Sequence, residues 1–121
     1  MADFIIGVDL GQSVDHTAIV VCERMVDKDV VYLHIPYVER YPLGISWVDT
    51  EARLERVIRY AESKGSVTTL IDQGNAGSPI IEDIRRRDIN CIGIFLTGGN
   101  KVEHTPGRRQ YNVPKRDVVA A

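Results

Sequence analysis

No stretch of this 121-residue chain is apolar enough and long enough to span a bilayer, and its N-terminus, MADFIIGVDLG, carries no basic leader. Neither a signal peptide nor a transmembrane segment is therefore expected; the expectation is a cytoplasmic protein without a membrane partner. Cysteine is scarce. Cys22 and Cys91 stand in unrelated apolar runs with no metal-ligand spacing, which fits reduced core residues. His16, His34 and His104 share no ligand spacing either. Ser13, two residues after Gly11, has no histidine partner implied by the pattern, so no nucleophile motif is present. A net charge of −2 removes any global basic field, and a nucleic-acid surface would have to be local. There is no internal repeat, no low-complexity linker and no GxxxxGK[ST] phosphate loop. The length suits one domain with a real core.

What is present reads as alternating strands and helices. DFIIGVDL is a short apolar run that suits a central strand. HTAIVVCERM and VVYLHIPYVERY predict two more strands, with a turn at Asp27–Asp29. SWVDTEARLERVIRYAESKG is the clearest helix: Trp47, Leu54, Val57, Ile58 and Ala61 recur at helical spacing, Ser46 suits the N-cap and Gly65 the C-terminal stop. SVTTLIDQGNAG predicts a fourth strand and SPIIEDIRRR a second helix, with Ser78 as cap and Pro79 at its first position. INCIGIFLTGG predicts a fifth strand, NKVEHTPGRRQYNV a polar, basic excursion with hairpin character, and VPKRDVVAA the start of a last helix, with Pro114 in its first turn. Hairpin-length connections early and helical crossovers late predict an α/β fold: a five-stranded mixed sheet with flanking helices, the first three strands antiparallel and the fourth and fifth parallel to the first.

Two aspartates stand out. Asp9 and Asp72 each close an apolar strand and precede a glycine-containing turn. An aspartate in that place is commonly a turn former that bonds the next amides. Two of them in equivalent places point further. If their strands lie side by side in parallel, the carboxylates converge at the C-terminal sheet edge, where open α/β sheets bind ligands. Carboxylates held close repel, a divalent cation offsets the repulsion, and hard oxygen donors suit Mg²⁺ or Mn²⁺.

The runs GVDLGQSVDHTAIVV, ERYPLG, LIDQGNAGSPIIEDIR, LTGGNKV and NVPKRDVV, taken in order over residues 4–119, resemble the ribonuclease H-like nuclease domain of phage large terminase subunits and related prophage proteins. The resemblance implies a single ribonuclease H-like domain over residues 1–121, with Asp9 and Asp72 as catalytic, metal-binding carboxylates. It also implies two-metal hydrolysis of phosphodiesters in double-stranded DNA during genome packaging. It implies a further carboxylate from the last helix. That helix barely begins in this chain and is expected to be truncated; Asp117 is its one acid and is either the third metal ligand or a capping residue. A packaging ATPase domain, other packaging proteins and a second copy of the chain are the partners it implies, and the motor is not encoded here. Asp15, in the turn after the first strand, is a weaker ligand candidate. Glu39 is expected to be structural, and Glu51 and Glu55 to lie on a solvated helix face.

The segment from Lys101 to Arg116 gathers Lys101, Arg108, Arg109, Lys115 and Arg116 around His104 and Tyr111, with Glu103 as the one opposing acid. Basic side chains of this kind can follow a phosphate backbone; a solvated loop is the plain alternative. Arg85–Arg87 reads as an exposed helix C-terminus favoured by the helix dipole. Two other functions stand beside the nuclease. One is a non-catalytic module of the same fold that binds DNA or protein. The other is half of a nucleotide-binding ATPase, because GVDLGQS also looks like the first phosphate-binding turn of the actin, sugar-kinase and heat-shock chaperone superfamily.

Overall fold

A computed structural model describes residues 2–11, 14–72, 77–99, 101–105 and 110–114. Seven strands form one mixed sheet: β1 (Ala2–Asp9), β2 (Ala18–Asp27), β3 (Val30–Arg40), β4 (Gly65–Asp72), β5 (Ile92–Thr97), β6 (Glu103–Thr105) and β7 (Gln110–Pro114). Two helices, α1 (Trp47–Glu62) and α2 (Gly77–Arg86), complete the described elements. The sheet order is β3-β2-β1-β4-β5-β7-β6. As expected, β2 pairs antiparallel with both β1 and β3, and β4 and β5 run parallel to β1.

The strand count differs from the five expected. The basic excursion after β5 folds as the β6–β7 hairpin, and β7 extends the sheet by pairing in parallel with β5. Pro114, expected in the first turn of a helix, is the buried last residue of β7. Among the described residues β6 pairs with β7 only as far as Asn112, so β7 is an edge strand at Pro114, a place that tolerates proline.

The β2–β3 connection turns through Lys28 and Asp29, with φ of 50° and 66°. Positive φ at both central residues matches the right-handed twist of the flanking strands. α1 begins as its cap predicts: the Asp49 amide donates to Ser46 Oγ at 3.1 Å. Its end differs. Ser63 closes the helix in right-handed geometry, and Gly65 opens β4 instead. A Cβ on Gly65 would collide with the carbonyl oxygen of Ala2, so glycine is needed for the close approach of the two strand starts. α2 starts at Gly77, which leaves Pro79 in its first turn, where its missing amide costs nothing.

Alternation along the strands gives the sheet two unlike faces. Ile6, Val8, Ile19, Val21 and Ile71 point one way and are at most 5% exposed. They form one core with Leu54, Ile58 and Ala61 of α1 and Ile80, Ile81 and Ile84 of α2. The helices lie side by side on this face: Arg59 Nη2 donates to the carbonyls of Arg87 and Asp88, and Arg87 pairs with Glu51 and Glu55. Glu51 is therefore not solvated as expected. It is buried within α1 and held by Arg87 at 3.4 Å, and burial pushes its carboxyl upward while the guanidinium opposes the shift. Glu55 is shared between Arg59 and Arg87. The opposite sheet face carries Ile5, Gly7, Val20, Leu70, Ile94 and Leu96, and no described helix packs on it.

Candidate functional site

β1 and β4 pair in parallel with Asp9 directly opposite Asp72. Neighbouring strands lie about 4.8 Å apart, so the two carboxylates leave the same end of the sheet on the same side. That side is the uncovered one. Below them a shallow depression of about 310 Å³ is floored by Gly7, Val20, Leu70, Ile94 and Leu96. The carboxyl of Asp9 is raised above its ordinary value, first by loss of hydration against this apolar floor and then by the charges of Asp72 and Asp15.

Asp15 reaches the site's field because the loop after β1 folds back tightly. A Cβ on Gly11 would strike the backbone of Asp15 and His16, so only glycine allows this path. The buried Thr17 hydroxyl closes the loop: it donates to the Gly11 carbonyl at 2.8 Å and accepts from the Gly11 amide at 3.0 Å. Tyr41, fully buried just past β3, anchors the far side. Its amide donates to the Thr17 carbonyl at 2.7 Å, and its own carbonyl accepts from His16 Nδ1 at 2.7 Å. The Arg53 guanidinium stacks 5.3 Å from the Tyr41 ring centre and also pairs with Glu39, which gives Glu39 the structural place expected of it. Burial pushes the Tyr41 phenol up to about 12, so it stays neutral. His16 thus holds the loop through its Nδ1. The single-residue signals for this clamp, Thr17 and Tyr41, carry no motif, and the sequence reading missed them.

Of the expected site residues, the fold brings Asp9 and Asp72 together and places Asp15 close enough to raise the carboxyl of Asp9. Asp117 lies outside the described residues, as do Arg108, Arg109, Lys115 and Arg116. Lys101 is exposed between β5 and β6. His104 and Tyr111 stack across the β6–β7 pair, ring centres 4.4 Å apart. The Arg85–Arg87 run is neutralised internally by Glu82, Asp83, Glu51 and Glu55 rather than free at a helix end. Neither Cys22 nor Cys91 is in a disulfide, and Cys91 is buried. Among the described residues no group of three or more histidine, cysteine, aspartate or glutamate side chains could hold a metal ion. Two opposed carboxylates still match a magnesium-type donor set, in which one or two protein carboxylates act together with water and substrate phosphate. No helix among the described residues is long and apolar enough to cross a membrane.

Replacing Thr17 with valine leaves the buried Gly11 amide and carbonyl without their partner and should cost about 1–3 kcal/mol in urea denaturation. Tyr41→Phe removes a buried hydroxyl that has no partner among the described residues and should cost less than about 0.5 kcal/mol or stabilise. Equal losses in the two variants would contradict the clamp. The raised carboxyl of Asp9 has its own signature. The folded state holds that proton more tightly than the unfolded chain. Its stabilising contribution is present in acid and lost as pH rises through the raised value. Asp9→Asn should therefore melt higher than the parent at neutral pH in EDTA, with the gap closing toward about pH 4; a gap that widens in acid would refute the assignment.

No protein-family model matches the sequence, and no curated protein does. Among solved structures, the fold is similar to the Aquifex aeolicus member of the Ppx/GppA protein family, with a TM-score of 0.51 at 11% sequence identity. The similarity covers 78% of this chain and 36% of that one, so this chain spans about a third of its length, and what the two share is the mixed α/β fold.

Proposed function

We propose that this chain is a metal-dependent DNA endonuclease domain of the ribonuclease H-like kind, similar to the nuclease of phage large terminases. The observation that carries the reading is the direct opposition of Asp9 and Asp72 at the C-terminal edge of parallel strands, with the Asp9 carboxyl raised. Like charges held this close are costly unless a cation or a proton relieves them. Asp9 and Asp72 would hold Mg²⁺ or Mn²⁺, with Asp117 as the third ligand from the C-terminal segment. Such an ion supplies Lewis-acid polarisation of the phosphodiester and a nucleophilic water at neutral pH. The protein's own contribution is geometric. The sheet register fixes the spacing of the two carboxylates, the Gly11–Thr17–Tyr41 clamp holds Asp15 beside them, and the open apolar floor limits water below them. Lys101, Arg108, Arg109, Lys115 and Arg116 would follow the phosphates of double-stranded DNA, and the stacked His104–Tyr111 pair stiffens the hairpin in that basic segment.

A second reading has one observation in its favour, the likeness to the Ppx/GppA fold, which fits the nucleotide-binding alternative. It needs amides of the β1 turn to be free for phosphates. The Gly11 amide is already bound to the Thr17 hydroxyl, which weighs for the nuclease.

Cleavage of supercoiled plasmid with Mn²⁺ tests the proposal. Loss of an outer partner of a metal ligand costs about 10–100-fold, so Asp9→Asn and Asp72→Asn, which remove ligands themselves, should each lose at least about 100-fold in rate. Undiminished cleavage by either variant refutes the site. No cleavage, together with a nucleotide-induced rise in melting temperature, favours the second reading; no cleavage with retained DNA binding leaves a non-catalytic module. Neutralising Arg108, Arg109 and Lys115 should weaken binding alike on all DNA sequences and flatten its salt dependence by about one unit per lost contact. Unchanged binding at low salt would make the segment a solvated loop.

A further inference from the structure

Far from the carboxylates, on the helix-covered side, a cleft of about 710 Å³ opens between α1 and the outer strands β2 and β3. Phe4, Val21, Tyr37 and Val57 give it an apolar lining. The apolar surface does not stop there. β1 pairs with β2 no further out than Arg24, so among the described residues the ends of β2 and β3 project as a two-stranded arm. Glu23 lines the cleft, and two residues on, Met25 returns to the same face with Tyr32 opposite it. Both are exposed, at 43% and 50%. A bare two-stranded ribbon is marginal in water and gains from cover. The strip continues from the cleft, walled on one side by α1, onto the arm at Met25 and Tyr32.

Charge on that wall is unbalanced. Arg53 is paired with Glu39, and Arg59 with Glu55 and Glu62. Arg56 and Lys64, both exposed and both lining the cleft, form no salt bridge with a carboxylate among the described residues; Lys64 lies over the Tyr60 ring, 5.5 Å from its centre. The acid nearby, Glu23, faces His34 at 3.5 Å. An apolar trough with two cations that lack a carboxylate partner along its helical wall complements a helix with a leucine-type stripe and flanking carboxylates, the helix-in-groove mode of recognition.

We infer that the cleft between α1 and the β2–β3 arm is a docking groove for an acidic amphipathic helix of another protein. The bound helix lies beside α1, extends the helical layer over the arm and places its carboxylates against Arg56 and Lys64. The groove is separate from the carboxylate pair, and the inference stands whether or not that pair cleaves DNA.

The probe is a fluorescein-labelled helical peptide of about 18 residues with leucines at i, i+3, i+4 and i+7 and glutamates beside the stripe; its twin carries lysines in place of the glutamates. Anisotropy titration of the full chain should show the acidic peptide binding at least about tenfold tighter, since a paired, partly desolvated charge is worth more than a rim contact. Arg56→Glu with Lys64→Glu should reverse the order of the two peptides. Both sites are exposed, and circular dichroism melts check that the double variant is folded. Val57→Asp should weaken both peptides. Equal affinity for the two peptides overturns the inference, as does a preference that survives charge reversal. A concentration-dependent dimer by sedimentation that charge reversal dissociates also overturns it, because the occupant is then a second copy.

Discussion

The register of β1 against β4 is the constraint on which the rest of the molecule depends. Parallel pairing runs without a break from Ala2 opposite Gly65 to Asp9 opposite Asp72. A slip of β4 by one residue would turn Ile71 out of the core and send the Asp72 carboxylate to the helix side, away from Asp9. The apolar residues therefore hold the aspartates in place although they touch neither. Three fully buried isoleucines, Ile6, Ile19 and Ile71, hold three adjacent strands to one register, and the acidic pair is placed by the same packing. Gly65 permits this at the other end, where any side chain would push the strand starts apart.

A second tie acts across the sheet. The loop that follows β1 could swing widely, because glycine in its sequence costs it stiffness. It does not, because Thr17 closes it on Gly11 and Tyr41 locks Thr17 and His16 from the end of β3. The antiparallel half of the sheet thus positions the loop, while the parallel half positions Asp72. Asp9 sits where the two halves meet. Its raised carboxyl reflects that meeting: burial from the apolar floor, one charge from the parallel neighbour and one from the folded-back loop.

Much of this was legible in the residues. The apolar runs located β1 through β5, the early short turns gave antiparallel neighbours, and the aspartate-then-glycine pattern pointed to Asp9 and Asp72 before any register was known. The failures have physical causes. The β6–β7 hairpin hides in a polar, basic segment, because edge strands need little hydrophobic alternation once a neighbour supplies the ladder. Gly65 looked like a helix stop because local pattern cannot distinguish a left-handed cap from a close strand approach. Glu51 looked solvated because its partner Arg87 lies on another element, distant in sequence. The clamp was invisible for the same reason: a threonine and a tyrosine become informative only when a fold brings them to Gly11 and His16.

The two faces of the sheet pull the molecule in different directions. Both described helices cover one face, so nearly all the burial that stabilises the domain is spent there. The other face keeps Ile5, Val20 and Leu96 about two-fifths exposed, beside the acidic pair. Apolar floor and carboxylates are linked by cause: among the described residues no element covers this face, which leaves both the floor and the ends of β1 and β4 open. Covering that floor tightly would deepen the desolvation of Asp9 and raise its carboxyl further, which weakens any cation held there unless the ligand itself replaces the lost water. The open face is thus consistent with a site that works by admitting a charged, hydrated partner to the sheet edge. The core packed between the sheet and the two helices supplies the rigidity that holds the two aspartates in register.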